Sequence, residues 1–160
     1  MKSLLVLYSY HHNNTRKIAD VFAQVLDAQI KMPQQVDPGE LLEYELVGLG
    51  SGIYYEKHHA SLLGLADMLP PATGRRVFIF STSGIATDSR LMASASGFHK
   101  ALREKLQSRG YTIVGEFNCL GLDTNSFLRL FGGLNRGRPN AGDLRRAEEF
   151  ARGLKQKMQT

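Results

Sequence analysis

Apolar residues along the chain fall into short blocks separated by amphipathic stretches. The first block, Leu4-Leu5-Val6-Leu7, is too short for a comfortable helix and does not alternate with polar residues, which marks a strand buried on both faces. Ile18, Phe22, Val25 and Leu26 follow at helical spacing, so residues 9–15 form the loop that joins this strand to a helix N-terminus. Ile30 and Met32 make a weak second strand closed by Pro33, and 36–42 reads as a turn. Tyr44 to Gly50 is a third strand whose glycines permit close backbone approach, and it runs into a loop over 50–59. A helix with Leu62, Leu63, Leu65, Ala66 and Leu69 on its apolar side is stopped by Pro70-Pro71.

The clearest strand is Val77-Phe78-Ile79-Phe80, which opens into Ser81-Thr82-Ser83-Gly84. Leu91, Ala95, Phe98, Leu102 and Leu106 then describe a long helix ending near Gly110. Tyr111 to Leu120 alternates, as suits an edge strand with one wetter face. A glycine- and arginine-rich stretch, Gly121 to Gly142, carries an apolar knot at Phe127–Phe131 and is long for a connection in a compact domain. The last helix starts near Asp143 and shows Leu144, Ala147, Ala151, Leu154 and Met158 on one side.

Strands alternating with helices predict an α/β protein, a three-layer, doubly wound, five-stranded parallel sheet of order 2-1-3-4-5, in one domain spanning residues 1–160. In that order ligands bind outside the carboxyl ends of strands 1 and 3. The polar loops at 9–15, 50–59 and 81–84 follow strands 1, 3 and 4, so all three converge on one rim.

Composition narrows the class. No apolar run approaches the ~20 residues of a membrane span, and Met1-Lys2 leads straight into a strand with no signal-type core. A single cysteine, Cys119, excludes an intrachain disulfide and fits a cytoplasmic location. The net charge is +5, with much of the excess late in the chain; it either favours acidic partners or is a solvated face. Nucleic-acid binding would want a basic stripe interleaved with aromatics, and none is visible.

The first loop is built for an anion. Ser9, Asn13, Asn14 and Thr15 offer hydroxyl and amide donors beside a helix N-terminus. It lacks the Gly-Lys-Ser/Thr of a nucleotide hydrolase, the cysteine of a phosphatase and the acidic pair of a phospho-receiver. Gly48-Leu49-Gly50-Ser51-Gly52 has the wrong spacing for a dinucleotide fold. What survives is a flavin mononucleotide (FMN) site, whose phosphate needs only N–H and hydroxyl donors. Ile53, Tyr54 and Tyr55 supply a flat apolar partner for the ring, and Ser81, Thr82, Ser83 and Gly84 supply main-chain groups for its polar edge. His11, His12, His58 and His59 lack ligand partners at ordered spacing, so no metal is expected.

These residues resemble the flavodoxin family. The first loop resembles its T/S-x-T-G-x-T phosphate motif, keeping Asn14-Thr15 while His11, His12 and Asn13 replace the usual hydroxyls and glycine. It is closer to a branch with Ser-x-His-His-Gly-Asn-Thr. That branch also has Gly-Ser-Gly-Ile-Tyr-x-x-Lys-His-His, matched by Gly50 to His59, and Ser-Thr-Ser-Gly after strand 4. The likeness extends to Gly-Gly-Leu-Asn-Arg-Gly-x-Pro-Asn at 132–140. The resemblance implies a flavodoxin-like fold and an FMN site at Ser9, His11, His12, Asn13, Asn14, Thr15, Ser51, Gly52, Ile53, Tyr54, Tyr55 and Ser81 to Gly84, with no catalytic residue of its own. It implies an electron carrier between redox partner proteins. An FMN-dependent NAD(P)H:quinone or small-acceptor reductase ranks second, and a cofactor-free binding module is the reading from another class.

Overall fold

The computed structural model describes residues 1–10, 13–84, 95–122 and 133–159. The elements in order are β1 (Ser3–Tyr8), α1 (Asn14–Leu26), β2 (Ala28–Lys31), two 3₁₀ turns (Pro33–Gln35 and Pro38–Glu43), β3 (Leu46–Tyr54), β4 (Lys57–His58), α2 (Ala60–Met68), β5 (Arg76–Ser83), α3 (Ala95–Ser108), β6 (Thr112–Leu120) and α4 (Ala141–Gln159). The sheet runs β2-β1-β3-β5-β6, with every pair on that path parallel and β4 pairing antiparallel with the end of β3. This is the expected order, with the two-residue β4 added. The predicted helix position Leu91 and the knot Phe127–Phe131 lie outside the described residues.

Each face of the sheet carries its own core. Leu4, Val6, Val47, Leu49, Val77 and Ile79 pack under α2 and α3. Leu5, Leu7, Phe78, Phe80 and Phe117 pack under α1 and α4, where Phe22 of α1 meets Phe78, Phe80 and Phe117 edge-on at 5.5, 5.2 and 5.5 Å. No helix among the described residues is long and apolar enough to cross a membrane.

Two boundaries differ from the sequence reading, both for physical reasons. β3 starts at Leu46 and continues through Tyr54, because Gly50, Ser51 and Gly52 stay paired with Phe80, Ser81 and Thr82. Much of the expected loop at 50–59 is therefore strand and hairpin. The alternation of β6 gives way to burial of Phe117, Asn118 and Cys119 in a row. A register shift opposite Val77/Phe78 inserts Val114, and α3 covers the face that the pattern left wet.

Candidate functional site

The carboxyl ends of β1, β3 and β5 lie side by side, since Tyr8 pairs with Ser51 and Ser51 with Ser81. The described parts of the three loops singled out in the sequence therefore do meet at one rim. His11 and His12 fall outside the described residues.

At the start of α1, Asn13 adopts φ 51° and ψ 29°, the left-handed conformation. Among residues with a β-carbon, asparagine tolerates this region best, so it stands in for glycine without changing the backbone path. Its side chain makes no capping bond, and the first turn of α1 holds no acidic residue, only Arg16 and Lys17 near its start. The first-turn N–H groups thus have no side-chain cap among the described residues at the positive end of the helix dipole, an arrangement that suits an anion. Asn14 is turned inward: its Nδ2 donates to the Leu122 carbonyl at 2.9 Å, while its buried Oδ1 has no partner among the described residues.

The hydroxyls along the rim are committed to its frame. Thr15 Oγ1 and Thr82 Oγ1 share a hydrogen bond of 2.8 Å, joining α1 to β5. Ser51, fully buried, donates to the Gly52 carbonyl at 2.7 Å, accepts the His59 N–H at 3.1 Å and meets His58 Nδ1 at 2.9 Å. Ser81 Oγ lies 2.8 Å from His99 Nε2 and accepts from Asn118 Nδ2 at 2.7 Å. The side chains of Ser51, Ser81 and Thr82 are thus turned to the frame, and their main chain is paired within the sheet. Ser9, Gly52, Ile53, Tyr54 and Gly84 are half-buried, Asn13 is exposed, and Tyr55 stands 96% exposed at the hairpin tip. That tip has two residues in the left-handed region, Tyr55 at φ 49° and Glu56 at φ 64°, the geometry of a type I′ turn.

Several residues of the frame escaped the sequence reading. His99 of α3 is fully buried, with Nδ1 2.9 Å from Glu116, which also receives two Arg103 bonds of 2.6 Å. His58, one of the paired histidines, is buried beneath the hairpin with its ring 5.0 Å from that of His99. Burial, then the neighbouring His99, holds its pKa well below the ordinary value, against the pull of Glu116. Asn135 donates to the Gly84 carbonyl at 2.8 Å and the Gly121 carbonyl at 3.3 Å, so the turn it opens locks the ends of β5 and β6 together. Its signal was its place in the Asn-Arg-Gly-x-Pro-Asn run. For His99 the signal was a helical phase three residues before buried Leu102.

Fold and rim together define a doubly wound α/β protein whose candidate loops meet at the carboxyl edge of its central strands. A family model described as a flavodoxin domain matches residues 5–119, and the chain belongs to that family. It is 44% identical over 154 residues to an uncharacterized protein of Methanocaldococcus jannaschii, covering 96% of this chain and 98% of that protein. Among solved structures it is similar to oxidised flavodoxin 2 from Bacillus cereus (TM-score 0.68, 20% identity, 98% of this chain and 99% of that one). The flavodoxin of Fusobacterium nucleatum bound to flavin mononucleotide is another (TM-score 0.67, 16% identity, 98% and 99%).

Proposed function

We propose that this protein binds FMN at the carboxyl rim of its sheet and carries electrons between protein partners. The observation that carries the reading is the meeting of an uncapped helix N-terminus with a tyrosine hairpin and the Ser83-Gly84 backbone at one rim. In this reading the N–H groups of the first turn of α1, with Ser9, Asn13 and the histidines His11 and His12, hold the phosphate. The unpartnered Oδ1 of Asn14 accepts from a hydroxyl of the sugar chain. Gly52, Ile53, Tyr54 and Tyr55 support the ring, and the main chain of 81–84 meets its polar edge. When bound, FMN supplies the one- and two-electron redox chemistry that side chains lack. The chain's part is to fix the ring, exclude water from one side and set the charge around it. The net charge of +5 favours acidic partners. Burial pushes the Cys119 thiol up to about 12, so it stays a protonated core residue, consistent with a cytoplasmic protein.

The purified protein is expected to show flavin absorption, with riboflavin 5′-phosphate released by heat and identified by mass. Release of FAD, or failure to bind added FMN at micromolar concentration, would overturn the reading. Asn13 gives a graded test. Asn13→Gly relieves the left-handed strain and should keep or improve FMN affinity. Asn13→Val places a β-branched residue there at a cost of roughly 1–2 kcal/mol, so affinity should fall about tenfold. Equal affinity in both variants would mean that this backbone turn does not hold the phosphate.

A further inference from the structure

A groove of about 590 Å³ lies between α1 and α4, and none of the residues lining it belongs to the three rim loops. Val21 and Val25, one turn apart on α1, and Leu144 of α4 form its half-buried apolar floor. Arg145, Glu148, Arg152 and Lys155 follow at helical spacing on α4 and form its polar wall.

That wall is braced and positively charged. Arg152 Nε and Nη2 donate to Glu148 Oε1 at 3.0 and 2.6 Å, so the one carboxylate among the described lining residues is already held. The Lys155 ammonium donates to the Val25 carbonyl at 3.1 Å, which ties α4 to the last turn of α1. Arg145 stands exposed with no ion pair among the described residues. Lys17, one turn before Val21 on the same side of α1, is exposed and unpaired in the same sense.

Shape and charge together select one kind of occupant. An apolar floor between two helices seats a third helix laid down by its apolar side. The cations around the floor select carboxylates on the flanks of that helix. From Ala141 to Lys155 the wall runs about 21 Å at ~1.5 Å per residue, the length of a helix of about 14 residues. The described lining offers no aromatic side chain on which nucleic-acid bases would stack. We propose that this groove docks an acidic amphipathic helix of a partner protein, its apolar side on Val21, Val25 and Leu144 and its carboxylates toward Arg145 and Lys155. The proposal goes beyond the FMN reading and needs no flavin.

The probe is a synthetic peptide of about 14 residues, with leucines on one side of its helix and glutamates on the flanks. Two comparison peptides carry glutamine for glutamate, or the same residues in scrambled order. Fluorescence anisotropy and amide chemical-shift mapping read the binding. The acidic amphipathic peptide should bind at least about tenfold more tightly than either comparison peptide, weaken with added salt, and shift signals of α1 and α4 between Val21 and Val25 and between Leu144 and Lys155. Arg145→Glu, at an exposed position, should weaken it about tenfold with an unchanged melting temperature. Lys100→Glu changes the net charge equally from the exposed side of α3, across the sheet, and should leave the affinity within about twofold. Equal affinity for the three peptides, an equal loss in the two variants, or shifts elsewhere would overturn the proposal. So would tighter binding of a single-stranded oligonucleotide or an anionic vesicle to the same residues. FMN binding, followed separately by absorbance, reports on the other reading and should be unaltered by Arg145→Glu.

Discussion

Gly50→Val is expected to cost about 3 kcal/mol or more and to lower the melting temperature by roughly 10 °C. A β-carbon at Gly50 would lie 2.3 Å from two carbons of the Phe80 ring, far inside contact distance. That ring cannot swing away: Phe80 is fully buried, with Phe22 edge-on at 5.2 Å and Phe78 at 5.8 Å. Close-packed interiors transmit such an intrusion rather than absorb it. Gly48 meets the same obstacle, with Phe78 at 2.4 Å and Leu5 at 2.6 Å. Gly64 of α2 has nothing within 4 Å of its notional β-carbon, so Gly64→Ala should instead stabilise by about 0.5–1 kcal/mol. Urea titration of the two variants against the parent checks both signs. A Gly50→Val protein of parental stability would show that the phenylalanine layer is not placed as described.

The glycines illustrate how far the sequence could be read. Continuous apolar blocks were enough for the parallel sheet and its order, because burial on two faces leaves no other pattern. Gly48 and Gly50 were legible as a place of close approach, but not what approaches. The register supplies it: Gly48 stands opposite Phe78 and Gly50 opposite Phe80, so each missing side chain makes room for a ring on the neighbouring strand. Gly115, opposite Phe78 on its other side, instead makes room for α4: a β-carbon there would lie 2.9 Å from the Phe150 ring and 3.1 Å from Leu154. The pairing of a Gly-x-Gly with a Phe-x-Phe is set by alignment between strands thirty residues apart, which local pattern does not carry.

The candidate site was legible to a similar depth. Convergence of three loops followed from strand order, and residue types alone pointed to the first loop. The direction of each hydroxyl did not follow. Ser51, Ser81, Thr15 and Thr82 have the composition of ligand-binding loops, yet they bond to His58, His99, Asn118 and one another. Those partners come from the hairpin, α3 and β6, and only the packed fold brings them within reach.

That frame makes the protein acid-sensitive in two stages. Burial would raise the Glu116 pKa, but hydrogen bonds from His99 and Arg103 outweigh it and bring the group from 4.5 to about 2. A carboxylate whose folded pKa is depressed contributes stability above its unfolded pKa and loses it as pH falls toward the folded value. Water reaches about a quarter of this side chain, 23%, so the contribution is roughly 2–3 kcal/mol rather than the full equivalent of the shift. It should disappear between about pH 4.5 and pH 2. His58 acts earlier. Its folded pKa lies well below 6.5, so below about pH 6.5 the unfolded chain takes up a proton that the folded chain refuses. Each further pH unit then costs up to about 1.4 kcal/mol until the folded value is reached. Urea unfolding measured from neutral pH downward should therefore show stability falling from about pH 6.5, with Glu116 adding to the slope below about 4.5. His58→Gln should lose some stability at neutral pH, through its bond to Ser51, and flatten the first stage only. Glu116→Gln should cost about 2–3 kcal/mol at neutral pH, because Arg103 and His99 lose their charged partner, and should flatten the second stage only. Stability independent of pH between about 6.5 and 5 in the parent protein would mean that His58 is not held neutral beneath the hairpin.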